Sequence, residues 1–236
     1  MKDLHSHICY GIDDGSKTIE ESISILRKME KSGITDIFLT PHYIEDSKYN
    51  ANNKKKQEIL DSLKEACQKE NININLYLGN EVYLTDNVIN LVKKGEIKTL
   101  NDSKYILLEL PMFQKDPNTR TILHNVITAG YIPIIAHPER YAYVDEKLDY
   151  IRDLQAIGVL FQGNYQSLFG KYGKQAKKNL QKMLKDNIIS FLGTDIHHEE
   201  ELHTEKLFKE IKKFVKKEDK VYDLLYRNID KILDSE

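Results

Sequence analysis

Met1-Lys2-Asp3-Leu4-His5-Ser6-His7-Ile8-Cys9-Tyr10-Gly11-Ile12-Asp13-Asp14-Gly15-Ser16 is the stretch from which the rest of the chain can be read. A short apolar strand over residues 2–6 leads through His5 to His7. Alternate residues of a strand share a face, so both imidazoles can be presented to one ion. The acidic pair Asp13-Asp14 follows in a glycine-flanked loop that can return a carboxylate to the same place. A His-x-His pair alone is a weak signal. Its meaning depends on whether other strands also end in ligands.

The broad properties leave room for such a site. At 236 residues the chain suffices for one large α/β domain with a substantial core. Lys plus Arg number 35 and Asp plus Glu 37, a net charge of −2, which offers nucleic acid no chain-wide attraction. The basic runs Lys54-Lys55-Lys56 and Lys209 to Lys220 read as solvated helix faces. Cys9 and Cys67 have neither metal nor redox spacing and fit reduced thiols in a cytoplasmic protein. There is no basic segment followed by an apolar core and no apolar run of about 18 residues, so neither export nor membrane insertion is expected.

Short β-branched or apolar runs alternate with longer amphipathic stretches, the pattern of βα units and a largely parallel sheet. Strands are predicted over 2–6, 36–40, 73–79, 104–110, 132–136, 159–163 and 188–194. Seven strands imply a closed or nearly closed barrel. The first helix is expected to begin at Thr18, where Thr18 and Glu21 form a capping box and Ile19, Ile23 and Leu26 line one face, and to end at Gly33. Further helices are predicted over 51–70, 86–94, 118–130, 145–157, 171–186, 199–216 and 219–233. No linker or repeat divides them, so residues 1–236 read as one domain.

The remaining histidines and acids fall at the strand ends. Thr40-Pro41-His42 follows the second strand and Gly79-Asn80-Glu81 the third; Glu109 sits in Leu107-Leu108-Glu109-Leu110 of the fourth. Ala136-His137-Pro138-Glu139-Arg140 follows the fifth and Thr194-Asp195-Ile196-His197 the seventh. In barrels of βα units the carboxyl ends of all strands open on one face, where functional side chains gather. Each residue alone has an ordinary explanation, as a loop cap, a lysine partner or a helix cap. Together they do not, because an acid such as Glu109 among leucines is costly to desolvate without a compensating cation or strong hydrogen bonds. Imidazole and carboxylate without thiolate suit manganese, iron or zinc.

These segments, with Gly11-Ile12-Asp13-Asp14-Gly15 and Ser167-Leu168-Phe169-Gly170-Lys171-Tyr172-Gly173, resemble the polymerase-and-histidinol-phosphatase (PHP) superfamily. Within it they are most similar to the metal-dependent bacterial protein-tyrosine phosphatases of capsule and exopolysaccharide loci. The resemblance runs from residue 2 to about residue 230. It implies a distorted seven-stranded (β/α)7 TIM-like barrel with three divalent ions at the strand ends, manganese expected and iron or zinc as alternatives. By position, His5, His7, Glu81 and Asp195 would hold the first ion. Glu81 would bridge to a second held by Glu109 and His137, and Asp14, His42 and His197 would hold the third, leaving Asp13 to the loop. The implied reaction is attack of a metal-bridging hydroxide on phosphorus, with Arg140 and Asp195 as catalytic residues and the Arg140 fork gripping the phosphate. The plainer alternative for Arg140 is a salt bridge to Glu139 or Asp145.

The implied substrate is a phosphotyrosine protein, the tyrosine-rich tail of a capsule-biosynthesis kinase, and relatives point to assembly as a homo-oligomer. One departure stands out. Many relatives carry an Arg-Pro pair shortly after the last ligand histidine, where this chain reads His198-Glu199-Glu200-Glu201-Leu202-His203. His203 then either assists phosphate binding or lies on a helix surface, the latter being the favoured reading. Tyr43, Tyr49, Tyr83, Tyr141 and Tyr143 follow ligand strands and are candidates for the walls of a phenyl pocket. Two other functions fit the same motifs: a small-molecule phosphatase such as histidinol phosphatase, and a metal-binding module whose catalysis has lapsed.

Overall fold

In the computed structural model, which describes residues 1–234, every strand pairing is parallel. Residues 235 and 236 of the expected 1–236 domain lie outside the described residues. Strands β1 (Lys2–Ser6), β2 (Asp36–Leu39), β3 (His42–Tyr43), β4 (Asn75–Leu78), β5 (Glu81–Tyr83), β6 (Tyr105–Glu109), β7 (Ile132–Ala136), β8 (Leu160–Asn164) and β9 (Phe191–Gly193) form two ladders. Their orders are β1-β2-β4 and β3-β5-β6-β7-β8-β9. The ends of the array meet where Asp195 N–H donates to His5 O (2.8 Å) and His7 N–H to Ile196 O (2.9 Å). The result is a curled parallel sheet of TIM-like form, distorted where the 3-10 turn Leu100–Asp102 packs against both β4 and β6.

The seven expected strands become nine because the chain resumes a short strand just beyond the expected ends of the second and third, after breaks at Thr40-Pro41 and at Gly79-Asn80. Proline has no N–H to give the ladder. The Asn80 side chain spans both breaks: its Nδ2 donates to Pro41 O (2.9 Å), and its Oδ1 accepts from Lys98 N–H (2.8 Å). The short strands beyond the breaks begin with His42 and Glu81, which are register partners. A further irregularity in the β1–β2 register lies between Asp3 and Ser6, on the segment that carries His5. Breaks of this kind re-aim side chains.

Helices α1 (Ile19–Lys31), α2 (Asn53–Lys69), α3 (Val88–Lys93), α4 (Thr119–Thr128), α5 (Asp149–Gln155) and α6 (Gly173–Lys185) fall within the expected ranges, α5 much shortened. Thr18 Oγ1 accepts from Glu21 N–H (3.3 Å), and the Glu21 carboxylate accepts from Lys17 N–H (2.7 Å), so the capping box is made one residue out of its usual register. The helix expected over 199–216 starts only at Thr204, as α7 (Thr204–Lys212). Glu199 is drawn to Ser24 and Lys28 of α1 and Glu200 to Lys171, which holds the segment as an extended loop. The helix expected over 219–233 is α8 (Glu218–Tyr222) and α9 (Asn228–Leu233) joined through a π turn, Asp223–Arg227.

Leu4, Phe38, Leu107, Ile134 and Phe191 from five strands pack with Ile229 and Ile232 of α9 as a buried cluster of their own. The larger cluster lies between strands and helices, with Ile25, Leu26 and Met29 of α1 and Leu60 and Leu63 of α2 among its members. Among the described residues no helix is long and apolar enough to cross a membrane.

Lys56 of α2, expected on a solvated face, is instead fully buried. Its Nζ donates to Asn80 Oδ1 (2.5 Å) and Glu96 O (3.2 Å), so this lysine braces the residue that spans the strand breaks. Burial pushes its ammonium down to about 7. Between about pH 7 and the ordinary lysine value near 10.5, the unfolded chain holds a proton that the folded chain releases, so folding gains from rising pH in that window. In metal-free denaturation from pH 7 to 9, the stability of the native protein relative to Lys56→Met is expected to rise with pH. Parallel curves would contradict the buried placement.

Candidate metal centre

All nine residues expected as ligands come together at the carboxyl ends of the strands. Their side chains come from β1 and the loop after it, β3, β5, β6, and the turns after β7 and β9. Glu81 is fully buried, with Oε2 lying 3.2 Å from His5 Nε2, 3.3 Å from His7 Nε2 and 3.0 Å from His42 Nδ1. Its other oxygen accepts from His137 Nε2 at 2.8 Å, and His137 Nε2 is also 3.6 Å from Glu109 Oε1. Asp195 Oδ1 stands 3.4–3.6 Å from ring nitrogens of His5, His7 and His197. Asp14, at the open side, lies 3.6 Å from His42 and 3.5 Å from His197.

Ligand atoms converge most tightly in three groups: His7, Asp14, His42 and His197; His5, His7 and Glu81; and His42, Glu81 and Glu109. His7, His42 and Glu81 thus belong to two groups each, and His137 and Asp195 stand beside these groups rather than within them. The sharing of Glu81 agrees with the bridging role that the resemblance implies, while that of His7 and His42 is looser than its partition of ligands.

The residues fit cations by two tests. The Glu81 Oε2, His42 Nδ1 and His137 Nδ1 atoms are buried without a hydrogen-bond partner, a cost that a bound ion offsets at the first two. Burial, followed by the charges of Glu81 and Asp195, pushes Glu109 up to about 8, and a cation beside it would return it to its charged form. Burial holds His42 down to about 4, which leaves its ring neutral and able to ligate. His137 (φ 33°) and Asp195 (φ 53°) both lie in the left-handed backbone region. That conformation costs about 1–3 kcal/mol each in a non-glycine residue, and such strain collects at functional sites.

Asp13, assigned by sequence to the loop, has a direct part in the site. Its Oδ2 accepts from His7 Nδ1–H (2.8 Å) and from His42 N–H (3.0 Å), while Oδ1 accepts from Gly15 N–H (2.9 Å). His7 is thereby held in the tautomer that turns Nε2 to the cluster. The loop closes so tightly that a Cβ on Gly15 would fall 1.9 Å from His7 O. The Asp-Asp pair itself was the available signal, since two acids in one short loop serve two different ring systems.

Arg140 pairs with neither Glu139 nor Asp145, but donates from Nη1 to Asp195 Oδ2 (2.5 Å). Its guanidinium lies 4.2 Å from the centre of the Tyr172 ring. Together with Lys171, His197 and His198 these residues line a cavity of about 320 Å3 next to the cluster. Tyr172, quoted within a family motif but given no role, is therefore the aromatic wall nearest Arg140. Among the tyrosines expected to form walls, Tyr43 and Tyr141 are buried, and Tyr141 is structural, its hydroxyl donating to Ala136 O (2.7 Å). Tyr49 stacks near His42, with ring centres 6.1 Å apart, and Tyr143 stacks on Tyr141. His203 lies outside the cavity lining, its ring against Phe169 and near Glu201.

Carboxylates and imidazoles clustered at the mouth of a βα barrel, beside an arginine-lined cavity, define a metal-dependent hydrolase. More narrowly, the chain belongs to the CpsB/CapC family of capsular polysaccharide synthesis, whose pattern matches residues 1–234. It is 36% identical over 197 residues to CapC of Staphylococcus aureus, covering 84% of this chain and 77% of CapC. It is 32% identical over 198 residues to the tyrosine-protein phosphatase YwqE of Bacillus subtilis, covering 84% of this chain and 78% of YwqE. The crystal structures of YwqE from B. subtilis and CpsB from Streptococcus pneumoniae, described as unique metal-dependent tyrosine phosphatases, include a chain that superposes with a TM-score of 0.92. That match is 29% identical and covers 100% of this chain and 95% of the other.

Asp13→Ala is expected to keep the fold and to raise the manganese concentration needed for half-maximal activity by about 10- to 100-fold, the usual cost of losing a carboxylate behind a ligating histidine. A titration matching the native protein would remove Asp13 from the site.

Proposed function

We propose that this chain, a metal-dependent tyrosine-protein phosphatase of capsule synthesis, acts on the phosphotyrosine tail of the capsule locus's own kinase and uses three divalent ions, manganese foremost. The supporting observation is that the cavity lined by Arg140 also touches Asp195 and His197, at the edge of the His/Asp/Glu cluster. His5, His7, Glu81 and Asp195 are assigned to the first ion, Glu81, Glu109 and His137 to the second, and Asp14, His42 and His197 to the third. Bound divalent ions supply activated water at neutral pH and neutralise charge on the phosphoryl oxygens.

The chain's own residues do the rest. Asp195 holds Arg140 by one nitrogen, leaving the remaining donors of the fork for phosphate oxygens. The Tyr172 ring supports the guanidinium from one face. A tyrosine phenol, with a pKa near 10, leaves more readily than an alkoxide and asks less of a general acid. An aryl phosphate therefore suits a site whose cavity holds an arginine and an aromatic wall.

With manganese, turnover should be highest on phosphotyrosyl peptide, lower on phosphoseryl peptide and histidinol phosphate, and lost on chelation. Faster turnover of histidinol phosphate would overturn the substrate reading. His5→Ala or His42→Ala should abolish activity while circular dichroism stays native, and activity surviving both changes would refute the ligand assignment. Arg140→Ala is expected to lower kcat/KM by about 10- to 100-fold, the equivalent of one charge-assisted hydrogen bond of about 1.5–3 kcal/mol. Unchanged kinetics would exclude Arg140 from phosphate binding.

A further inference from the structure

Strand β8 gives the centre no candidate ligand, yet its residues Gln162 and Asn164 are fully buried beneath it. Three hydrogen bonds run through them from one side of the cluster to the other. Asn164 Nδ2 lies 2.7 Å from Asp195 Oδ2, Gln162 Nε2 is 2.9 Å from Asn164 Oδ1, and Gln162 Oε1 is 2.9 Å from His5 Nδ1.

We infer that Gln162 and Asn164 form an amide relay through which the Asp195 carboxylate dictates the tautomer of His5. The direction of every bond follows from the acid. A carboxylate only accepts, so Asn164 must turn its NH2 to Asp195. Its carbonyl then faces Gln162, which must answer with its own NH2. The Gln162 carbonyl is left facing His5 and requires a proton on Nδ1. The Nε2 lone pair of His5 is thereby directed at Glu81 Oε2, 3.2 Å away, where an ion would be shared. The Asp195 oxygen that starts the relay also receives Arg140, so the same chain of bonds connects the proposed phosphate grip to the first ligand of β1.

The fold makes specific room for this path. A Cβ on Gly193 of β9 would lie 2.9 Å from Gln162 Nε2 and 2.8 Å from His5 Cβ, too close for either to keep its place. Glycine here is a consequence of three strands, β1, β8 and β9, approaching around one buried amide. Gln162 and Asn164 are positioning residues. They act on the metal through His5 and Asp195, which rests on the reading of those two as ligands.

Nitrogen-15 NMR of the histidine rings in the zinc-loaded, diamagnetic protein tests the relay. His5 should show a proton on Nδ1 and zinc on Nε2. Gln162→Leu should weaken zinc binding by about 10- to 100-fold in calorimetry and lose the slowly exchanging, hydrogen-bonded Nδ1–H resonance of His5. Gln162→Glu, which can still accept from Nδ1–H, should restore that resonance. Zinc bound through His5 Nδ1 in the native protein overturns the relay alone, and this arm needs no variant to fold. Native zinc affinity in a folded Gln162→Leu also overturns it. A native chain that binds no zinc overturns the metal reading and the relay with it.

Discussion

The carboxylate of Glu81 is taken fully out of water and surrounded by His5, His7, His42 and His137. An isolated charge in that position would carry a desolvation cost of several kcal/mol, more than a domain of this size can spare for one side chain. It is tolerable only because imidazoles converge on it from three other strand positions and cations can take up the remaining charge. The strand breaks, the left-handed backbone at His137 and the tight Gly15 loop behind His7 all serve to bring those partners within reach of one oxygen pair.

Much of the scaffold is devoted to holding ring nitrogens rather than to supplying ligands. Asp13 fixes His7, and Asn80, braced by the buried Lys56, spans the breaks after which His42 and Glu81 begin their short strands. Lysine is an unusual choice for such a brace, since burial lowers its ammonium to about 7. Its long stem lets a residue of α2 reach through to the Asn80 carbonyl, which a shorter donor on that helix would not do.

The fold class was legible in the chain because both of its periodicities are strong. Apolar runs at β6, β7 and β8 and amphipathic stretches at α1, α2 and α6 were located within two residues. What failed were places where a tertiary contact outweighs local preference. Residues 199–203 have the charge pattern of a helix start, but Glu199 and Glu200 are bound by α1 and by Lys171, and the helix waits for Thr204. Lys56 sits in a lysine run that looks solvated, yet its position on α2 faces the barrel. A run of like residues does not reveal which one the helix turns inward.

His5, His7, His42, Glu81, Glu109, His137, Asp195 and His197 were readable as candidates because each stands at or just beyond the end of a predicted strand, and parallel strands put their ends on one face, whereas the choice of Asp14 over Asp13 came only from the family resemblance. That much needs only order along the chain. The partners of those side chains were decided by tertiary structure alone: Asp195 rather than Glu139 for Arg140, His7 for Asp13, Tyr172 rather than Tyr141 as the wall. Hydrogen-bond pairing depends on directions and separations of a few tenths of an ångström between residues as far apart as His5 and Gln162. Sequence spacing fixes which strand a residue ends, but the twist of the sheet and its register breaks fix where the side chain points.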